Sequence, residues 1–160
     1  MSEPDTSREA SDLSSSAANV PSKRMFVAAS ILSLIGLLDS VYLTIKHLTG
    51  QSVQCTISTG CEEVLGSSYA TLFGYPLAAF GALAYFAVFS LAILVVFGYR
   101  STRIFLIVIV ALMTLMTMRL LYVQAFVLGK YCEFCLLSAA ITISLAGLML
   151  ATLRQHRLRY

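Results

Sequence analysis

Four long apolar runs, separated by short polar segments, dominate this chain. The runs are Met25–Ile45, Pro76–Phe97, Ile104–Leu128 and Cys135–Leu153. A helix that crosses the hydrocarbon core of a bilayer needs about 20 consecutive, mainly apolar residues, and each run meets that requirement. The pattern therefore predicts an all-α membrane protein in which four transmembrane helices form a bundle.

Polar segments flank these runs at both ends of the chain. Residues 1–24 are rich in Ser and contain no aromatic residue, so we expect them to form a disordered tail. The first apolar run is long enough to span, which argues against a cleavable secretory signal. We therefore predict a tail at residues 1–24, a membrane domain at 25–153 and a short basic tail at 154–160.

The composition supports membrane insertion and excludes a soluble domain. Hydrophobic residues make up 58% of the chain and charged residues 12%, whereas soluble domains have about 45–50% and about 25%. The net charge of +3 does not indicate nucleic-acid binding, because the basic residues lie at the ends of the predicted spans.

The basic residues predict the orientation in the membrane, since cytoplasmic flanks carry an excess of Lys and Arg. Three such flanks lie before the first span, between the second and third, and after the fourth. They contain Lys23, Arg24, Arg100, Arg103, Arg154, Arg157 and Arg159. The other two connections hold only Lys46 and Lys130, offset by Glu62, Glu63 and Glu133. We expect a multi-pass protein of the inner (plasma) membrane with both termini in the cytoplasm.

The four cysteines form two pairs that share the opposite, periplasmic or external side. Cys55 and Cys61 lie in the connection after the first span, and Cys132 and Cys135 lie before the fourth. Disulfides form and persist in such compartments. A zinc site is one interpretation, although the five residues between Cys55 and Cys61 exceed the usual ligand spacing. Two structural disulfides are another, although a C-x-x-C bridge closes almost no loop.

Redox exchange is the third interpretation of these cysteines. Thiol–disulfide exchange passes electrons between neighbouring pairs through mixed disulfides, and a helix N-terminus such as that predicted at Cys132 stabilises a thiolate. A pair at a membrane helix can reach an acceptor dissolved in lipid, and a lipid-soluble two-electron acceptor is a quinone. All three interpretations remain open at this point.

The connection that carries Cys61 also predicts a short amphipathic helix on the membrane surface. Thr59 and Glu62 have the spacing of a capping box. Apolar residues follow at helical intervals: Leu65, Tyr69, Leu72 and Phe73.

Two ionisable residues lie within predicted spans, Asp39 in the first and Arg119 in the third. Each costs at least roughly 2.5–3.5 kcal/mol to insert unless it has a partner or a cavity. Their depths, roughly 9 and 14 Å at 1.5 Å per residue, allow them to pair. Either they form a structural ion pair or one of them lines a quinone site or a proton path. Tyr122 is a candidate quinone contact or a packing residue.

Four motifs, in this order, carry a family resemblance: GLLDSVYLTIKH, CTISTGCEEVLGSSYA, GYPLAAFG and CEFC. With them the chain resembles the bacterial homologues of vitamin K epoxide reductase over about Ser33–Ala151. Because the C-x-x-C pair lies in the second external connection, the arrangement is the reverse of that in DsbB-type quinone reductases.

The resemblance implies a membrane thiol oxidase that regenerates the disulfide of a thioredoxin-like partner, acting in trans, and reduces ubiquinone or menaquinone without a metal. It implies that Cys55 exchanges with the partner, that Cys61 attacks Cys132, and that Cys135 reduces the quinone. Ser67 matches a serine beside the quinone head group, with Ser68 the alternative. The other candidate quinone contacts are Asp39, Arg119 and Tyr122. The alternative functions are a quinone or vitamin K epoxide reductase that uses small thiols, and a non-enzymatic protein with structural disulfides.

Overall fold

A computed structural model of the chain describes residues 6–53, 55, 60–99 and 101–157. Its helices are α1 (Thr6–Leu48), α2 (Cys61–Leu65), α3 (Leu77–Val96), α4 (Thr102–Tyr122) and α5 (Glu133–Arg157). A 3₁₀ turn at Ser68–Ala70 precedes a two-stranded antiparallel hairpin, β1 (Thr71–Leu72) and β2 (Tyr75–Pro76). A π-helical segment, Val123–Leu128, continues α4.

Four helical segments within the described residues are long and apolar enough to cross a membrane. They are Arg24–Leu48, Leu77–Val96, Thr102–Leu128 and Glu133–Arg154. This confirms the predicted all-α membrane bundle, and the predicted ends of the spans lie within about three residues of the observed ones. The agreement arises because the thickness of the bilayer, rather than any tertiary contact, sets the length of each apolar run.

The structure differs from the sequence-based expectation at the N-terminal end. Helix α1 begins at Thr6, within residues 1–24, for which the sequence predicts a disordered tail. Once a helix is nucleated, each added residue gains one backbone hydrogen bond. The helix of the first span can therefore continue into a polar segment.

The four spanning helices pack in a ring: α1 contacts α3 and α5, and α4 contacts the same two helices. Their main core contains buried apolar residues from all four, including Ala29, Val88, Leu106 and Leu145. Gly36 on α1 leaves room for the Tyr85 ring of α3, because a Cβ atom there would lie 2.5 Å from Cε1 of Tyr85. Small residues commonly allow close approach between membrane helices.

A second, smaller core lies at one end of the bundle, which we name the cysteine end. Its buried members are Leu43, Val53, Cys61, Val64 and Cys132. Cys55 and Cys135 pack against this core as partly buried residues. The fold therefore brings both cysteine pairs, which are far apart along the chain, into one cluster.

The connection between α1 and α3 contains a shorter helix than the spacing of apolar residues predicts. Helix α2 ends at Leu65, where the Gly66 N–H donates to the carbonyl oxygen of Glu62 at 2.8 Å. Leu72 lies in β1 instead, and Phe73 occupies the hairpin turn with a φ of 53°. The N-cap of α2 is Gly60, which makes no side-chain capping bond, and Thr59 lies outside the described residues.

Candidate active site

The loop pair forms a disulfide in the structure, with 5.8 Å between the Cα atoms of Cys55 and Cys61. Cys61 is the first residue of α2 and is buried, whereas Cys55 is half-buried. An attacking thiol from outside the bundle therefore meets Cys55 more readily than Cys61. Cys61 instead faces the interior of the cysteine end.

The C-x-x-C pair lies at the N-terminus of α5, as the sequence predicts. Cys132 is buried and immediately precedes the helix. Its carbonyl oxygen accepts a hydrogen bond from the Leu136 N–H at 3.0 Å. Both cysteines are free thiols. The hydrogen bond with the Cys135 thiol, helped by the N–H groups of Cys135 and Phe134, lowers the pKa of Cys132 to about 7, although burial opposes this shift. The structure thus favours a thiolate at Cys132 near neutral pH.

Contacts between backbones hold the two cysteine-bearing segments together. A Cβ atom added at Gly60 would lie only 2.8 Å from the carbonyl oxygen of Tyr131. The chain immediately before Cys61 therefore packs against the chain immediately before Cys132. An ion pair between Lys130 and Glu63, at 3.3 Å and largely exposed, joins the same two segments. This arrangement places Cys61 beside Cys132, as exchange between the pairs requires.

Gln124 supports the C-x-x-C pair and was not selected by the sequence reasoning. It lies in the π-helical segment, is buried, and its Oε1 accepts from the Cys132 N–H at 3.4 Å. Its own carbonyl oxygen accepts from the Lys130 N–H at 3.2 Å. Segments of π-helix occur frequently at functional sites. In the sequence, the available sign of a functional role for Gln124 was its polar amide within an apolar run.

A cavity of about 370 Å³ opens beneath the cysteine cluster, inside the bundle. All four spanning helices contribute to its mainly apolar wall, which also includes Asp39, Ser67, Tyr85, Gln124 and Cys135. Small-molecule sites commonly have volumes of about 300–1,000 Å³, with apolar walls and a few polar groups. The cavity thus has the size and chemistry to hold a small aromatic ring system next to Cys135.

Tyr85 is a second polar residue that the sequence reasoning missed. Its buried hydroxyl donates to the carbonyl oxygen of Ser138 at 3.0 Å. It also lies 2.8 Å from Oγ of Ser138 and 2.9 Å from Oγ1 of Thr142. These bonds join α3 to α5 along the cavity wall. The i, i+4 spacing of Ser138 and Thr142 in an apolar run was the available signal.

The structure brings only some of the predicted quinone contacts to this cavity. Asp39 and Ser67 line it, and the Ser67 hydroxyl donates to the carbonyl oxygen of Val64 at 2.7 Å. Arg119 is exposed on the outside of the bundle and does not line the cavity. Tyr122 is 60% exposed and stacks on Phe126, with 5.0 Å between ring centroids.

The ion pair between Asp39 and Arg119, one of the two interpretations that the sequence leaves open, does not form in the structure. Oδ2 of Asp39 is buried and has no hydrogen-bond partner within the described part of the chain. The sequence locates Asp39 and Arg119 along the membrane normal. It does not fix the rotation of each helix about its own axis. Asp39 faces the interior of the bundle and Arg119 its surface.

The fold and the site define a class: four-helix membrane proteins with two cysteine pairs packed together above an apolar cavity. The chain belongs to the vitamin K epoxide reductase family, whose model matches residues 27–150. It is similar to the thiol-disulfide oxidoreductase LTO1 of Arabidopsis thaliana, with 35% identity over 118 residues. That match covers 68% of this chain but spans only 31% of the plant protein. The family resemblance of the sequence motifs is thereby confirmed.

Proposed function

We propose that this protein is a membrane thiol oxidase that regenerates the disulfide of a thioredoxin-like protein. It passes the two electrons through both cysteine pairs to a quinone, either ubiquinone or menaquinone. One observation carries the proposal: the two pairs pack in a single buried cluster, and Cys135 lies on the wall of an apolar cavity. The similarity to a thiol-disulfide oxidoreductase supports the first half of the reaction.

The first exchange takes place at the loop pair. A thiolate of the reduced partner attacks Sγ of Cys55, the more accessible member, and Cys61 leaves as a thiolate. The second partner thiol then resolves the mixed disulfide. The partner is released oxidised, and both Cys55 and Cys61 carry thiols. Two electrons and two protons have moved from the partner to the loop pair.

The second exchange joins the two pairs. Cys61 attacks Cys132 in an oxidised Cys132–Cys135 pair, which forms a Cys61–Cys132 bridge and releases Cys135 as a thiolate. Cys55 then attacks Cys61, restores the loop disulfide and leaves Cys132 and Cys135 reduced. The structure, with a Cys55–Cys61 disulfide and two free thiols, corresponds to this state.

The last exchange occurs in the cavity, where the quinone ring fits as the substrate. The Cys132–Cys135 dithiol gives up two electrons and two protons and becomes a disulfide, and the quinone is converted to the quinol. Cys135 faces the cavity, whereas Cys132 packs beside Cys61. Each cysteine of the pair thus faces one of its two reaction partners. Asp39 and Ser67 are the proposed polar contacts of the head group.

The proposed location is the plasma membrane, with both termini in the cytoplasm and the cysteine end on the periplasmic or external side. The distribution of basic residues supports this orientation. A thioredoxin-like partner then meets the loop pair from the aqueous phase.

The experiment that tests the function compares reductants for the purified full-length protein with a soluble quinone analogue. At equal thiol concentration, a reduced thioredoxin-like protein should support faster quinol formation than glutathione, because a folded partner docks against the loop pair. Equal rates would favour a reductase that uses small thiols. No quinol formation with either reductant would favour a non-enzymatic protein.

A further inference from the structure

We propose that Asp39 is a catalytic residue that relays one proton from the Cys135 thiol to the quinone oxygen. The proposal rests on the proposed function and adds a specific role for one side chain. It also explains why an ionisable residue is placed in the first span, where it is costly unless it serves a cavity or a partner.

The position of Asp39 is the first observation. It lies within the membrane-spanning part of α1, is only 9% exposed, and lines the same cavity as Cys135. Its Oδ2 atom has no hydrogen-bond partner within the residues that the structure describes. An unpaired buried carboxyl oxygen is costly. Once protonated, the carboxyl can donate a hydrogen bond to a carbonyl oxygen of the quinone, which would relieve that cost.

The second observation is that three of the other polar side chains in the cavity wall are already engaged. The Tyr85 hydroxyl is bound to Ser138 and Thr142, and the Ser67 hydroxyl donates to a backbone carbonyl. Gln124 holds the C-x-x-C pair. Asp39 therefore provides the cavity with an oxygen atom that remains available to a ligand.

The titratable groups around Asp39 come from several elements. Its charge acts on Tyr85 of α3 and on Cys132 and Cys135 at the start of α5. His47 of α1 and Tyr69 of the loop line the same cavity. The lining residues that α4 contributes include no titratable side chain. Asp39 and Cys135 therefore share the wall of the proposed quinone site with three other titratable side chains, those of His47, Tyr69 and Tyr85.

Atoms and electrons balance in the proposed step. The S–H bond of Cys135 breaks, the Cys132 thiolate and the Cys135 sulfur form one S–S bond, and two O–H bonds form on the quinol. Two electrons pass from sulfur to the quinone. The Asp39 carboxylate takes the Cys135 proton and gives it to a quinone oxygen, so it returns to its starting state. Exchange with water at the cysteine end accounts for the other proton.

The test replaces Asp39 by Asn, which keeps the shape of the side chain but cannot carry a proton. With the purified protein, reduced partner and a soluble naphthoquinone, kcat should fall about 10²-fold, in the range for a lost general acid–base group. The quinone KM should change by less than about threefold, and the Asp39 ionisation should disappear from the pH profile of kcat. Asp39→Glu should recover part of kcat and restore that ionisation.

A matched control is Arg119→Gln, which removes an ionisable group from a span but leaves the lining of the cavity unchanged. The kcat and the pH profile of this variant should match those of the wild type. Unchanged kcat and an unchanged pH profile in Asp39→Asn would overturn the proton relay. A raised KM with wild-type kcat would also overturn it and indicate a binding contact only. Failure of the proposed function is distinguishable, because the wild type itself would then form no quinol.

Discussion

Replacing Gly60 by Ala should slow electron transfer between the two cysteine pairs. Gly60 precedes Cys61 and has a φ of −95° and a ψ of 0°, which alanine adopts without strain. Any effect of the substitution must therefore come from the added methyl group. That methyl group points at the backbone of the segment that leads into Cys132, and a backbone atom cannot rotate away as a flexible side chain can.

The structure gives the size of the displacement. The added Cβ would lie 2.8 Å from the carbonyl oxygen of Tyr131 and 3.0 Å from its nitrogen. An ordinary contact begins at 3.4 Å, so the two segments must separate by about 0.6 Å, which is 3.4 minus 2.8. A displacement of about 1 Å between reacting groups can cost about 10²-fold in rate. We therefore expect a loss of about tenfold in the exchange between Cys61 and Cys132.

The assay isolates this exchange in a Cys55→Ala background, in which Cys61 has no loop partner. Quinone is added to the reduced protein, samples are alkylated at intervals, and the Cys61–Cys132 bridge is quantified by peptide mass spectrometry without reduction. The control is Gly147→Ala in the same background, because a Cβ at Gly147 meets nothing within 4 Å. If both glycine variants form the bridge at the same rate, the inferred packing of the two segments is wrong.

Three further predictions concern the groups that hold the cavity and the C-x-x-C pair. Gly36→Ala should lower the midpoint of thermal unfolding in detergent relative to Gly147→Ala. The Cβ added at position 36 would lie 2.5 Å from the Tyr85 ring, and overpacking typically costs about 1–3 kcal/mol. Equal unfolding midpoints for the two variants would contradict this prediction. The ultraviolet thiolate absorbance of the reduced protein should rise through about pH 7, the pKa of Cys132. Quinone reduction by the C-x-x-C pair should slow below that pH, because the Cys132 thiolate is protonated there. An absorbance midpoint near the ordinary cysteine pKa of about 8.5 would be inconsistent with this prediction. Gln124→Leu leaves the buried Cys132 N–H without its acceptor, so unfolding should become easier by about 1–3 kcal/mol; a wild-type denaturation curve would show that the bond contributes nothing.

The sequence predicts the spans and the meeting of the cysteines because simple physical constraints determine both. The thickness of the bilayer fixes the length of each apolar run. An even number of crossings between the two cysteine-bearing connections places both pairs at the same end of the bundle. The observed cluster, with Cys61 and Cys132 in its buried core, agrees with that topology.

Features that depend on tertiary contacts could not be predicted in the same way. The depth of Arg119 in the membrane does not fix the face of α4 on which it lies, and the structure places it outside. Helical spacing extended the predicted loop helix to Phe73, but the chain leaves the helix at Gly66 and turns at Phe73. Polar residues within apolar runs mark Tyr85, Gln124 and their surroundings as unusual, but the sequence does not identify the partners on other segments that give these two residues their roles.

The measurement that tests the electron relay most directly is quinol formation by the Cys135→Ala variant. The full-length protein is supplied with an excess of reduced thioredoxin-like partner and a soluble quinone analogue, and the wild type is measured in parallel. We expect the wild type to form one quinol for each partner disulfide. The variant should form no quinol and should oxidise at most one partner molecule per chain, through its Cys55–Cys61 disulfide. Sustained quinol formation by Cys135→Ala would contradict the assignment of this cysteine as the final electron donor.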